Sequence, residues 1–320
     1  MMSEPTQVAI IGCGGIARGL YLPMLDARDD AIVSACADAD EAARSHMAKR
    51  YPNATIYADV GELAADACDC ALVLTPVREG VDAHYEPVLA LMALGLPTLC
   101  EKPLSAELAR AEEMVVAAED AGTLLMMSVN RRFTPVYRRA AEHFHDHEIA
   151  VCMAEKSGTG GIFREVVTNS IHVLDAMRWL CGEVEELGGW CMSDGETDLR
   201  AAVTLQFACG ALGSFIMSRD AGTWIERVEL HGDGRTAIVE APHRVELIAD
   251  GRREVWAPDQ GRWQMPEHER WGFAAQLDHF LACVRGDDEP HASPRDALHS
   301  QQLAARVRGL GGPTDRHGGD

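Results

Sequence analysis

Over its first 130 residues the chain alternates between two hydrophobic periods. Continuous apolar runs at 7–11, 31–37, 71–74, 97–100 and 124–129 have the length of strands buried on both faces. Between them, residues 16–25, 40–51, 84–94 and 106–121 repeat apolar positions every three to four residues, the spacing of helices. Ser105 is placed to cap the last of these and Gly122 to close it. Strands that alternate with helices predict a doubly wound parallel sheet.

Beyond about residue 147 the texture changes. A helix is predicted over 170–180, closing at Gly182. Strand-like segments come next at 185–192, 201–207, 211–217, 225–231, 236–240 and 245–248, joined by glycine-rich turns. Short connections between consecutive strands predict a mostly antiparallel sheet. Two helices, 268–285 and 294–307, precede a glycine-rich tail from Gly309 that is expected to fray. The reading is an α/β protein: a doubly wound domain over 1–129 and an α+β domain over 130–320.

Composition narrows the classes. The formal net charge is −21 in 320 residues, which argues against a nucleic-acid binder or a polybasic membrane anchor. No apolar run approaches the length of a membrane span, and the N-terminal stretch lacks the basic start of a signal peptide. Ten cysteines are scattered without a CxxC pair, which predicts free thiols in a reducing, cytoplasmic setting. His143, His145 and His147 have no carboxylate at ligand spacing, so they read as a surface helix end and no metal is expected.

Candidate chemistry concentrates at two turns. After the first strand, Gly12, Gly14 and Ala17 form a G-x-G-x-x-A turn. Gly12 permits the tight bend, Gly14 lets a pyrophosphate approach the backbone, and Ala17 permits close helix packing. Gly15 and Ile16 open the helix whose free N–H groups face the phosphates. Asp38, about 20 residues on, is placed to accept from a ribose hydroxyl and to repel a 2′-phosphate, which favours NAD over NADP. Asp40 reads as a helix cap. The other turn, Glu101-Lys102-Pro103, ends the fifth strand, where an ammonium can stabilise an alkoxide.

Taken in order, Gly12-x-Gly14-x-x-Ala17, Glu101-Lys102-Pro103, Asn130-Arg131-Arg132-Phe133 and Ile171-His172-Val173-Leu174-Asp175 resemble the GFO/IDH/MocA oxidoreductases. That family includes glucose-fructose oxidoreductase and inositol dehydrogenases. The resemblance implies a Rossmann domain followed by an open-sheet domain that packs against a second subunit as a homodimer or homotetramer. It implies that Lys102 contacts substrate and nicotinamide and that His172 exchanges the hydroxyl proton. Asp175 matches the aspartate that commonly follows the histidine by three and reads as structural or as a support behind the residues that touch substrate. Thr75, Pro76, His84 and Glu101 are expected at the NAD or NADP site, and Arg131, Thr168 and Asn169 at a sugar or polyol.

Two departures stand out. Many members carry an aspartate four residues before the histidine, where this chain has Thr168. Their histidine follows Thr-Pro closely, whereas Val77–Ala83 intervene here before His84. Arg132 is expected to be solvated or interdomain, and Trp224, Trp263 and Trp271 to pack or line a pocket. The family also contains a non-catalytic regulator and glycosidase-like enzymes that use NAD without net turnover, so both are alternatives to a dehydrogenase.

Overall fold

The computed structural model describes residues 4–259 and 264–312. The chain divides into two units: residues 1–128 with 273–299, and 129–272 with 300–320.

The first unit is built on β1 (Thr6–Ile11), β2 (Ala31–Ala37), β3 (Thr55–Tyr57), β4 (Cys70–Val73), the small hairpin β5 (Val77–Arg78) and β6 (Val81–Asp82), β7 (Thr98–Cys100) and β8 (Leu125–Met127). Six of these strands form an all-parallel sheet in the order β3-β2-β1-β4-β7-β8. Its connecting helices are α1 (Leu22–Asp26), α2 (Glu41–Arg50), α3 (Tyr85–Ala93) and α4 (Leu108–Ala121). β4, β7 and β8 are buried at every position, as a sheet covered on both faces requires.

Local differences from the sequence reading have identifiable causes. The helix predicted from residue 16 begins with a π turn at Ala17–Tyr21. Strand β3 has no counterpart in the sequence reading, because three residues between turn-forming neighbours carry no periodic signal. Ser105 does not cap α4. Glu107 holds the cap position, and the Ser105 hydroxyl accepts from Glu107 N at 2.9 Å, just ahead of the helix.

The second unit contains α5 (Pro135–His143), β9 (Val151–Thr159), α6 (Glu165–Thr168), α7 (Ile171–Cys181), β10 (Val184–Asp194), β11 (Thr197–Phe207), β12 (Leu212–Ser218), β13 (Asp220–Gly232), β14 (Arg235–Glu240), β15 (Arg244–Ala249), β16 (Arg252–Trp256) and α8 (Glu267–Arg270). Eight strands form one sheet, β10-β11-β12-β9-β13-β14-β15-β16, antiparallel except for the parallel β9–β12 pair. Two of them escape the sequence reading. β9 carries Glu155, Lys156 and Ser157 where a strand normally shows apolar residues, and β16 is an exposed edge.

The predicted helix over 268–285 is two helices. Gly272 interrupts it at φ +79°, and a Cβ there would lie 2.5 Å from Thr134 N and 2.6 Å from Asn130 O. The second of the pair, α9 (Phe273–Arg285), belongs to the first unit. Its Leu277, Phe280 and Leu281 are fully buried with Val8, Ile10, Leu72 and Leu99. The linear division at 129/130 therefore misses a returning helix, since the apolar stripe of α9 completes the Rossmann core. α10 (Pro294–Arg308) ends where predicted, and residues 313–320 of the tail lie outside the described residues.

Candidate functional site

The glycine turn leaves β1 with Gly12 at φ +89°, a conformation that side chains resist. A Cβ on Gly12 would lie 2.7 Å from Thr75 N and 2.8 Å from Thr75 Cγ2. At Gly14 and Gly15 a Cβ would meet nothing within 4 Å, so the backbone there is bare and open. Open backbone beside a helix start fits a dinucleotide pyrophosphate. Asp38 is anchored to the same turn: Cys13 N donates to its Oδ2 at 2.7 Å and Asp40 N to its Oδ1 at 2.8 Å. Asp40 caps α2 as expected, accepting from Ala42 N. Arg44, a nearby cation, spends Nη1 on the carbonyls of Asp38 and Ala39 at 2.9 and 2.8 Å.

Behind this surface lies a buried polar frame. The Tyr21 hydroxyl donates to Glu101 Oε1 at 3.0 Å, and Lys102 N approaches Glu101 Oε2 at 3.3 Å. Burial first, and then the Glu101 carboxylate, push the Tyr21 phenol well above its ordinary pKa, so it stays a donor. Glu101 thus orients the lysine turn. His84 is 1% exposed, with Nδ1 2.7 Å from Pro103 O and Nε2 2.6 Å from Thr75 O. It ties the loop after β4 to the turn after β7. His84 and Glu101, both expected at the cofactor, are buried, with these polar atoms turned to Tyr21 and to the backbone of Thr75, Lys102 and Pro103. Thr75 Oγ1 likewise donates inward, to Ala83 O at 2.6 Å.

In the second unit, His172 sits one residue into α7, buried at 9% exposure, with Asp175 and Arg178 on the same helix. Arg132 differs from its expectation: it is buried and pairs with Asp175 through Nε at 2.9 Å and Nη2 at 2.6 Å. Ser300 Oγ donates to the same carboxylate at 2.6 Å. Arg132 and Ser300 thus hold the Asp175 carboxylate from two sides. Thr168 Oγ1 donates to Phe163 O at 2.7 Å. The Asn169 amide donates to Glu165 Oε1 at 2.7 Å, joined by Ser170 Oγ at 3.1 Å. Burial raises the Glu165 carboxyl above its ordinary pKa, although Asn169 and Arg219 pull the other way.

Sequence reasoning missed the centre of this polar layer. Lys156 and Glu226 are directly opposite in the β9–β13 register and form an ion pair with both side chains at most 2% exposed. Arg131 closes a bidentate pair on the same carboxylate, Nε to Oε1 at 2.6 Å and Nη2 to Oε2 at 2.7 Å. Burial alone would raise the Glu226 pKa, but the two cations overcome it and hold the carboxyl at about 2. Lys156 shares its carboxylate with Arg131, so burial wins there and brings the ammonium down to about 8. The Arg131 guanidinium lies 4.2 Å over Trp271 and the Lys156 ammonium 4.5 Å over Trp224, and the two indoles meet edge to face at 5.4 Å. Trp263 lies outside the described residues.

In the histidine cluster, α5 ends at His143, whose Nε2 lies 3.2 Å from Ile248 O, and His147 pairs with Asp233. All ten cysteines are free. No described helix is long and apolar enough to cross a membrane.

A Rossmann sheet with an open glycine turn and a lysine after β7, joined in sequence to an open-sheet unit with a buried histidine, defines a nicotinamide-dependent oxidoreductase. The chain belongs to the GFO/IDH/MocA family. Residues 6–129 match the model of the oxidoreductase family with an NAD-binding Rossmann fold, and residues 113–238 match the GFO/IDH/MocA C-terminal domain. A myo-inositol dehydrogenase of Streptomyces leeuwenhoekii is 35% identical over 191 residues, about half of either chain (55% of each). A myo-inositol 2-dehydrogenase of Thermotoga maritima is 27% identical over 91% of each chain. A dehydrogenase of Clostridium difficile, 23% identical, superposes with a TM-score of 0.82 over 94% of this chain and 98% of its own.

Proposed function

We propose that this protein oxidises a secondary alcohol of a sugar, cyclitol or related polyol with NAD, and reduces the corresponding ketone in reverse. The observation that carries this reading is that the family's Lys102 and His172 are both retained in a chain with an open Gly14–Gly15 turn. Gly12, Gly14, Gly15, Ile16, Asp38, Thr75 and Pro76 would hold the cofactor, which supplies the hydride acceptor when bound. His172 takes the hydroxyl proton, a contribution of about 10²–10⁴-fold. Lys102 offsets the negative charge that develops on the oxygen. Asn169 and Thr168 hold neighbouring hydroxyls, and Asp38 favours NAD over NADP.

The exposed sheet face supports self-association. Trp190 stands opposite Ala202, Ala202 opposite Ile216, and Ile216 opposite Glu155, so one row crosses four strands. Trp190 is 56% exposed, Leu212 59% and Ile216 44%, apolar side chains on one face that a partner surface would cover. A second copy, in a cytoplasmic homodimer or homotetramer, is the occupant that fits.

The test is NADH absorbance during a screen of inositols, sugars and polyols, with Lys102→Ala and His172→Ala alongside. Turnover that disappears in both variants while NADH still binds supports the reading. Tight NAD binding with no turnover on any polyol would replace it with a sensor.

A further inference from the structure

We propose that the substrate of this enzyme carries a carboxylate, as a sugar acid does, and that Lys156 and Arg131 recognise it. This rests on the oxidoreductase reading above and narrows its substrate class.

Inside the second unit the buried charges do not balance. Lys156, Arg131 and Arg219 are buried together with two carboxylates, Glu226 and Glu165. Three cations against two acids leave an unbalanced positive charge in a chain whose net charge is strongly negative. A buried charge without a partner costs several kcal/mol, so a purely structural cluster would be expected to balance. Arg132–Asp175, in the same unit, is balanced.

Hydrogen-bond capacity points the same way. Arg131 spends Nε and Nη2 on Glu226, and among the described residues nothing accepts from its Nη1. The Lys156 ammonium has three donors and one described acceptor, Glu226. The Arg131 side chain keeps 6% of its surface accessible. The indoles under the two cations are not sealed in: Trp224 is 40% exposed. Glu226 therefore presets two cations side by side, with spare donors and aromatic walls. Spare N–H groups on both cations, beside a surplus positive charge, match a planar carboxylate better than a neutral hydroxyl.

The Lys156–Glu226 pair could not be found from the sequence, because 70 residues separate the partners. It also explains why β9 places a lysine at a position facing the interior of the unit.

The experiment compares hexonates and hexuronates with myo-inositol and neutral hexoses, using the full chain with NAD. The wild type should turn over at least one acid with a kcat/KM about tenfold or more above any neutral analogue. Lys156→Gln should cut kcat/KM for that acid by about 10- to 100-fold, mostly through KM, while Lys156→Arg restores most of it. Preference for a neutral polyol, or an acid preference unchanged in Lys156→Gln, overturns the proposal. Should no compound be turned over, quenching of tryptophan fluorescence reads binding directly. Saturable quenching by an acid, absent with neutral polyols and lost in Lys156→Gln, supports carboxylate recognition even though hydride transfer has failed. No acid-specific quenching sinks both. A thermal melt on each variant separates loss of fold from loss of recognition.

Discussion

Two neighbouring glycines should fail in opposite ways. At Gly12 a methyl group must accept the left-handed backbone region at φ +89° and lie within 2.7 Å of Thr75 N. The conformation costs about 1–3 kcal/mol, and backbone atoms cannot yield as a flexible side chain would. Together these give a loss of about 3 kcal/mol for Gly12→Ala, on the order of a 100-fold fall in the folding equilibrium. For a unit of this size that lowers Tm by about 6–12 °C. At Gly14 the methyl meets nothing within 4 Å, so Gly14→Ala should be neutral or stabilise by up to about 1 kcal/mol. Yet the methyl would occupy space that a pyrophosphate needs, and NADH affinity should fall by at least about tenfold, or 1.4 kcal/mol. Urea unfolding and NADH fluorescence titration read the two effects separately. A Gly14→Ala variant that binds NADH normally would refute the placement of the pyrophosphate. A Gly12→Ala variant as stable as the parent would refute the backbone argument.

Other consequences come from buried charges. Glu226→Gln leaves Arg131 and Lys156 unpaired in the interior and should cost about 3–5 kcal/mol in a urea melt. Because the folded Glu226 pKa lies near 2, below its ordinary 4.5, its contribution is fully present above pH 4.5 and drains away as pH falls toward 2. The size is about 3 kcal/mol, and Glu226→Gln should flatten that part of the acid stability curve. Burial, against the pull of the Pro103 and Thr75 carbonyls, lowers the His84 pKa below 6.5. The unfolded chain then takes up a proton that the folded chain refuses, so stability declines as pH falls below 6.5. His84→Phe should remove this decline; a parent protein whose Tm is flat between pH 7 and 5 contradicts it.

Whatever local periodicity encodes was legible in the sequence. The buried parallel strands, the α7 helix with Gly182 at its end and the Gly12 turn all depend on neighbours a few residues apart. The glycine turn was readable even in its chemistry, because close backbone approach restricts the residue type. The charged layer was not readable. Lys156 and Glu226 each look like solvated charges, and only the β9–β13 register that sets them opposite each other makes them a unit with Arg131. Arg132 looks solvated for the same reason, since its partner Asp175 is 43 positions away. α9 shows the domain-level version: its apolar stripe was visible, but not which core it completes.

Thr168 is where family pattern and structure can be set against each other. If the chain has merely lost a catalytic aspartate, Thr168→Asp should raise the rate. The structure argues the reverse. The Thr168 hydroxyl is a donor to Phe163 O at 2.7 Å, and the residue is 8% exposed. An ionised aspartate would turn an oxygen toward that carbonyl with no proton to offer. Its charge would also fall one helical turn from Glu165, an acid whose pKa burial already raises even with the Arg219 guanidinium 3.6 Å from its Oε2. Two buried carboxylates at that spacing cannot both ionise cheaply, so the variant should lose about 2–4 kcal/mol of stability at pH 7 and regain part of it at pH 5. Turnover should fall with it. Thr168→Ser, which keeps the donor, should retain most of the activity. A faster Thr168→Asp enzyme with an unchanged melt would mean that the acid belongs at this position and that the Phe163 contact is incidental.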